Sequence, residues 1–201
     1  DLLECELEGN KAVMPFIEAC LKAATRGGVL TKHLLSFTKQ RSMYLKAVEL
    51  NSLLSEISEF FLALFDKKHK IELRLCDEPV LIETDEAQFK MALTHLVINA
   101  SESLNGSGTI QIGILKENNV DKTVSECLIF VSDNGQGMSG DTVKRAIEPF
   151  FTTKKIGQGS GLGLSMVYGF VKQCSGDLKI ESNLGEGTRV TMTFPLLPST
   201  N

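Results

Sequence analysis

A glycine-rich stretch set between an apolar strand pattern and an amphipathic helix pattern constrains this chain more than any other feature. Residues 128–132, LIFVS, form an apolar run followed at once by Asp133-Asn134-Gly135-Gln136-Gly137-Met138. A second run, Gly157-Gln158-Gly159-Ser160-Gly161-Leu162-Gly163, opens the helical pattern LSMVYGFVKQ. A carboxylate at a strand end can accept a hydrogen bond from a base amino group, and the glycines after it let the chain turn and approach a ligand closely. The same letters also suit an ordinary Asp/Asn/Gly turn. At the second run, glycine exposes backbone N–H groups at a helix N-terminus, where unsatisfied donors and the helix dipole attract phosphate. The glycine spacing differs from the dinucleotide fingerprint, and no G-K-[ST] of the Walker type is present. Neither run alone identifies a ligand.

The rest of the chain predicts a mixture of helices and strands. Apolar positions three and four apart mark an amphipathic helix over 16–41, FIEACLKAATRGGVLTKHLLSFTKQR, interrupted by Gly27-Gly28. Before it, residues 1–7 read as the tail of another helix and Gly9-Asn10 with Pro15 as a loop. A second long helix is expected from Ala47 through VELNSLLSEISEFFLALF, capped near Asn51 or Ser52. IELRLC alternates as a strand, and 85–104 is helical with Phe89, Leu93, Leu96 and Val97 as its apolar stripe. Strands are expected over about 109–115 and 126–132, a glycine-rich loop to about Gly161, a helix over 162–174, and strands over about 178–182 and 189–194. Without regular βαβ alternation, the expected class is an α+β two-layer sandwich: a mixed, mostly antiparallel sheet with helices on one face, preceded by a partial helical hairpin. The division falls at 1–46 and 47–201.

Charge and cysteine content narrow the function classes. The formal net charge of −4 gives no support to a general nucleic-acid-coating protein. The five cysteines lack C-x-x-C spacing, which disfavours a disulfide framework or a zinc site and fits a reducing, cytoplasmic setting. No apolar stretch approaches the roughly 20 residues needed to span a bilayer. The expectation is a cytoplasmic segment without membrane or nucleic-acid contact, which could belong to a membrane-anchored parent.

Two further patterns carry chemistry. In THLVINASES, His95 and Asn99 are four apart and so share a helix face. The Asn side chain is an oxygen donor suited to Mg²⁺, although an isolated H-x-x-x-N more often describes two solvent-facing polar residues. In EPFFTTKK, Phe150 and Phe151 can anchor a loop from which Lys154 reaches a phosphate as a point charge.

Taken in order, HLVINASESL, DNGQGM, EPFFTTK and GSGLGLSMV resemble the N box, first glycine box, phenylalanine box and second glycine box of the ATP-binding catalytic domain of sensor histidine kinases. This is the fold shared with DNA gyrase, large heat-shock chaperones and mismatch-repair ATPases. The resemblance covers about residues 47–195, and GEGTRVTMTFP is similar to the end of such domains. It implies ATP and Mg²⁺ as cofactors. Asn99 would help hold the metal; Asp133 would receive the adenine amino group; Gly135 and Gly137 would shape the base pocket. Residues 150–160 would form a lid with Thr153 and Lys154 near the phosphates, while Gly159, Gly161, Leu162 and Gly163 would offer them backbone donors. His95 stands where the hydrolytic relatives carry a water-activating Glu, which favours a kinase over an ATP-hydrolysing clamp or chaperone; a catalytically inactive nucleotide-binding scaffold is the other alternative.

RGGVLTKHLLSFTKQR also resembles the second helix of the family's dimerisation and phosphotransfer hairpin, which implies homodimerisation and docking of a response-regulator receiver domain. The basic run from Lys22 through Arg26, Lys32, Lys39 and Arg41 to Lys46, with no acid between, suits an acidic receiver pocket and equally an ordinary solvated helical face. No histidine here has the acidic neighbour of a phosphoacceptor. His33 and His69 read as solvent-facing, so the acceptor is expected upstream of Asp1 in a longer parent protein.

Overall fold

The computed structural model describes residues 43–65, 69–104, 106–117, 125–154 and 159–197. In chain order they form β1 (Lys46–Glu49), α1 (Leu50–Leu64), β2 (His69–Arg74), β3 (Leu81–Thr84), α2 (Glu86–Ser103), β4 (Gly108–Glu117), β5 (Glu126–Asp133), α3 (Gly140–Arg145), α4 (Gly163–Gln173), β6 (Asp177–Asn183) and β7 (Gly187–Pro195). The expected hairpin, with Gly27-Gly28, His33 and the basic run up to Arg41, lies outside the described residues, as do Gly157 and Gln158.

Five strands make one sheet in the order β2-β4-β5-β7-β6. β2 runs parallel to β4, and the other three pairings are antiparallel. A parallel pair needs a long crossover, which β3 and α2 supply between its two strands. Period-two alternation sends Ile110, Ile112 and Ile114 of β4, Ile129 and Val131 of β5, and Val190, Met192 and Phe194 of β7 into one buried layer. The helices cover that layer, as the sandwich expectation required. α2 buries Phe89, Leu93, Leu96, Val97 and Ala100, while α4 buries Val167, Phe170 and Val171. Phe89, Phe170 and Phe194 meet with ring centroids 6.0–6.3 Å apart, so α2, α4 and β7 share one aromatic contact. Among the described residues, no helix is long and apolar enough to cross a membrane.

Three local readings need correction. The helix expected from Ala47 is preceded by a strand: β1 pairs antiparallel with β3, from Lys46 opposite Thr84 to Glu49 opposite Leu81. Its partner lies too far along the chain for a local pattern to reveal it. The cap is Glu49 rather than Asn51 or Ser52, because its carboxylate accepts from the N–H groups of Asn51 (3.1 Å), Ser52 (2.8 Å) and Val80 (3.1 Å). Asn51 instead bridges to the backbone of Cys76 and Glu78. Second, His69 is buried, not solvent-facing, because it shares the inward side of β2 with Ile71 and Leu73 and meets the Phe65 ring at 5.7 Å. Third, the loop expected up to Gly161 contains α3, whose start is capped by the Ser139 hydroxyl accepting from Thr142 N–H.

Candidate nucleotide site

A cavity of about 330 Å³ opens between α2, the loop after β5 and the start of α4. α2 contributes His95 and Asn99, one turn apart on the face that its apolar stripe leaves open. The N-terminus of α4 begins directly beside them: a Cβ added at Gly163 would stand 3.5 Å from Asn99 Nδ2 and 3.8 Å from His95 Nδ1. α4 has no acidic residue in its first turn and its N-cap, Leu162, makes no side-chain cap bond. The positive end of its dipole therefore faces the cavity without a local counter-charge on that turn.

Asp133 ends β5 and lines the opposite wall. Its Oδ1 accepts from Ser103 Oγ at 2.7 Å and from Gly135 N–H at 2.8 Å. The loop that follows is tied to the β6–β7 turn: Gly185 N–H donates to Gln136 O at 2.8 Å, and Met138 N–H to Ser182 Oγ at 2.8 Å. At Gly137, φ is 63°, and a Cβ would fall 1.8 Å from Asn183 O. Only glycine can pass between these two backbones.

The third wall is the phenylalanine box and its return. Phe150 has φ of 67°, a left-handed conformation that costs a non-glycine residue about 1–3 kcal/mol. It is held there because its N–H donates to Gly161 O at 2.9 Å, while Gly161, also left-handed at 66°, packs onto the Phe150 and Phe151 carbonyls too closely for any Cβ. Arg145 lies 4.2 Å over the Phe151 ring and donates through Nε to Glu148 at 3.1 Å. Thr153, Lys154, Gly159 and Gly161 all line the cavity from this side. Lys154 forms an ion pair with the Glu102 carboxylate of α2.

Most residues expected at the site thus converge. Gly135 and Leu162 do not line the cavity: Gly135 acts behind Asp133, and the Leu162 side chain is buried while its N–H is engaged by Ser160 Oγ at 3.3 Å. Glu102 and Ser103 went unnoticed in the sequence, although their places three and four residues after Asn99 put them on the same side of α2. Thr188, another lining residue, sits opposite Asp133 in the β5–β7 register, a pairing that no local signal discloses.

Comparison with known proteins decides the family. Residues 84–198 match the family of histidine kinase-, DNA gyrase B- and HSP90-like ATPases. The chain belongs to that family. Within this ATPase family it is similar to the sensor kinase CckA of Brucella abortus, at 28% identity over 98% of this chain. That alignment spans 22% of the relative's length. Two solved structures share the fold. Full-length ShkA in complex with AMPPNP has a TM-score of 0.76 at 20% identity, covering 94% of this chain and 40% of ShkA. The histidine kinase ThkA in complex with the response regulator TrrA has a TM-score of 0.73 at 21% identity, covering 99% of this chain and 57% of ThkA.

Proposed function

We propose that this ATPase-family chain is the catalytic core of a protein-histidine kinase that binds Mg²⁺-ATP and presents its γ-phosphoryl group to a histidine, for relay to a receiver aspartate. The observation that carries the reading is the meeting, in one cavity, of Asn99, the Asp133 carboxylate and the unscreened N-terminus of α4. Asp133 takes the 6-amino group of adenine through a carboxylate oxygen. The α4 N–H groups, together with Gly159, Gly161 and Gly163, receive phosphate oxygens. Lys154 adds a positive charge on the same side.

The residues suit a hard divalent cation brought in with the nucleotide, because Asn99 offers one oxygen donor beside the phosphate end and Mg²⁺ keeps most of its shell from phosphate and water. When bound, the ion neutralises charge on the transferring phosphoryl group. His95, one turn before Asn99, orients a polar group at that end of the site. Phosphoryl transfer demands chiefly position and electrostatic stabilisation, and these walls supply both. CckA supports the kinase reading by sequence, and the regulator-bound ThkA supports a receiver domain as partner. The domain division at 46/47 and homodimerisation through a helical hairpin belong to the same proposal.

The test is a phosphotransfer assay with labelled γ-ATP and Mg²⁺, using the chain alone and then with a purified acceptor hairpin. Acid-labile, base-stable label on the hairpin is expected. No label despite measured ATP binding overturns the kinase assignment. Asn99→Ala and Asp133→Ala should each weaken ATP about 10- to 100-fold in calorimetry while circular dichroism stays native, since each removes an ionic or charge-assisted contact. Unchanged affinity in both variants removes the site.

A further inference from the structure

Ser103 closes α2 at the point where that helix touches the Asp133 loop, and it makes two bonds there. Its Oγ stands 2.7 Å from Asp133 Oδ1, and its backbone oxygen accepts from Gln136 N–H at 3.1 Å. The hydroxyl has a single proton and two acceptors in reach, since the Ala100 carbonyl lies 2.8 Å away. Ala100 is one of the last four carbonyls of α2, and Leu104 N–H donates to Ser101 O instead of to it. An ionised carboxylate is the stronger acceptor of the two, so the proton is directed to Asp133.

Both donors on Asp133, Ser103 Oγ and Gly135 N–H, fall on the same oxygen, Oδ1. They hold one carboxylate oxygen and leave Oδ2 as the acceptor available to a base in the cavity that Asp133 lines. Gly135 itself is shaped by this contact, because a Cβ there would lie 2.1 Å from Ser103 Oγ and 2.6 Å from Ser103 O. A carboxylate acceptor matches the 6-amino donor of adenine and opposes the 6-oxo group of guanine or hypoxanthine.

We propose that Ser103 is a positioning residue for base selection, holding Asp133 so that the site favours a purine bearing a 6-amino group. The inference rests on the assignment of Asp133 to the adenine amino group made above. The effect of Ser103 on the base passes through Asp133 Oδ1, so it scales with what the base offers at position 6.

The experiment uses the 201-residue chain and two probes, ATP and purine riboside triphosphate, which has hydrogen at position 6. Ser103→Ala should weaken ATP by about five- to tenfold, the loss of one charge-assisted bond, and leave purine riboside triphosphate within about twofold of wild type. The second probe also reports that the cavity is intact in the variant. Equal losses for both probes, or no loss for ATP, overturn the role. Asp133→Ala, measured alongside, separates the two levels. If it lowers ATP affinity selectively while Ser103→Ala does not, the base site stands and Ser103 is excluded. If neither variant changes the ratio of the two probes, the base site falls as well.

Discussion

Lys154 reaches the cavity already carrying a counter-ion. Its ammonium pairs with Glu102, and the triphosphate of a bound nucleotide is a second anion competing for the same charge. Both side chains are partly exposed, at 36% and 44%, so the pair is of the modest kind, about 0.2–1 kcal/mol. Glu102→Gln should therefore tighten ATP by about two- to fivefold at low salt, with a smaller gain for ADP and little left at high ionic strength. Calorimetry across a salt series reads this directly, and weaker ATP binding in the variant would mean that Glu102 holds Lys154 in place for the phosphates. Residue-scale legibility divides along this line. Asn99 and Asp133 are marked by their own neighbours, an amphipathic helix and an apolar strand. The Glu102–Lys154 and Ser103–Asp133 pairings join positions 52 and 30 residues apart, and no local pattern encodes them.

Among the elements, the long and strongly periodic ones were readable. α2, α4 and the five longer strands lie close to their expected places because each repeats an apolar period several times. β1 and β3, four residues each, and α3, six residues, are shorter than the window in which a period can establish itself. Glu49 shows how such a short element changes its neighbour. Where a sequence reader sees helix, three backbone N–H groups draw the Glu49 side chain into a cap and set the chain into β-conformation before α1. Burial of the Glu49 carboxyl opposes ionisation, yet the bonds from Ser52, Val80 and Asn51 outweigh it and hold the group below its usual value of 4.5. The sign follows: a depressed carboxylate stabilises the fold above about pH 4.5 and loses that contribution as pH falls through the folded value. Glu49→Gln should cost about 1 kcal/mol at pH 7, and in denaturant melts the gap to wild type should narrow as pH falls below about 4.5. A gap that stays constant across the acid range would assign the effect to side-chain shape rather than charge.

For the molecule as a whole, the walls of the cavity and the core of the sandwich are the same structure seen from two sides. Phe89, Phe170 and Phe194 pack α2, α4 and β7 together, so the spacing between α2 and α4, the helices that carry Asn99 and Gly163, is a property of the core. Phe194→Ala, at a side chain 1% exposed, should lower stability by about 3–5 kcal/mol in urea unfolding. A loss below about 1 kcal/mol would show that the layer collapses around the gap. The fold class was legible because alternation on the strands and three-four spacing on the helices agree on one buried layer. The parallel β2–β4 pair was not, since strand direction depends on the path of a crossover rather than on residue type. The Phe150–Gly161 bond has a separate consequence for how such a chain can vary. By joining the two ends of the intervening segment at its base, it makes the cost of a longer segment one of loop-closure entropy alone, about 0.6 kcal/mol for each doubling of length. The sheet and its helices are therefore largely insulated from the length of that stretch, and what constrains it is the cavity that Thr153, Lys154 and Gly159 line.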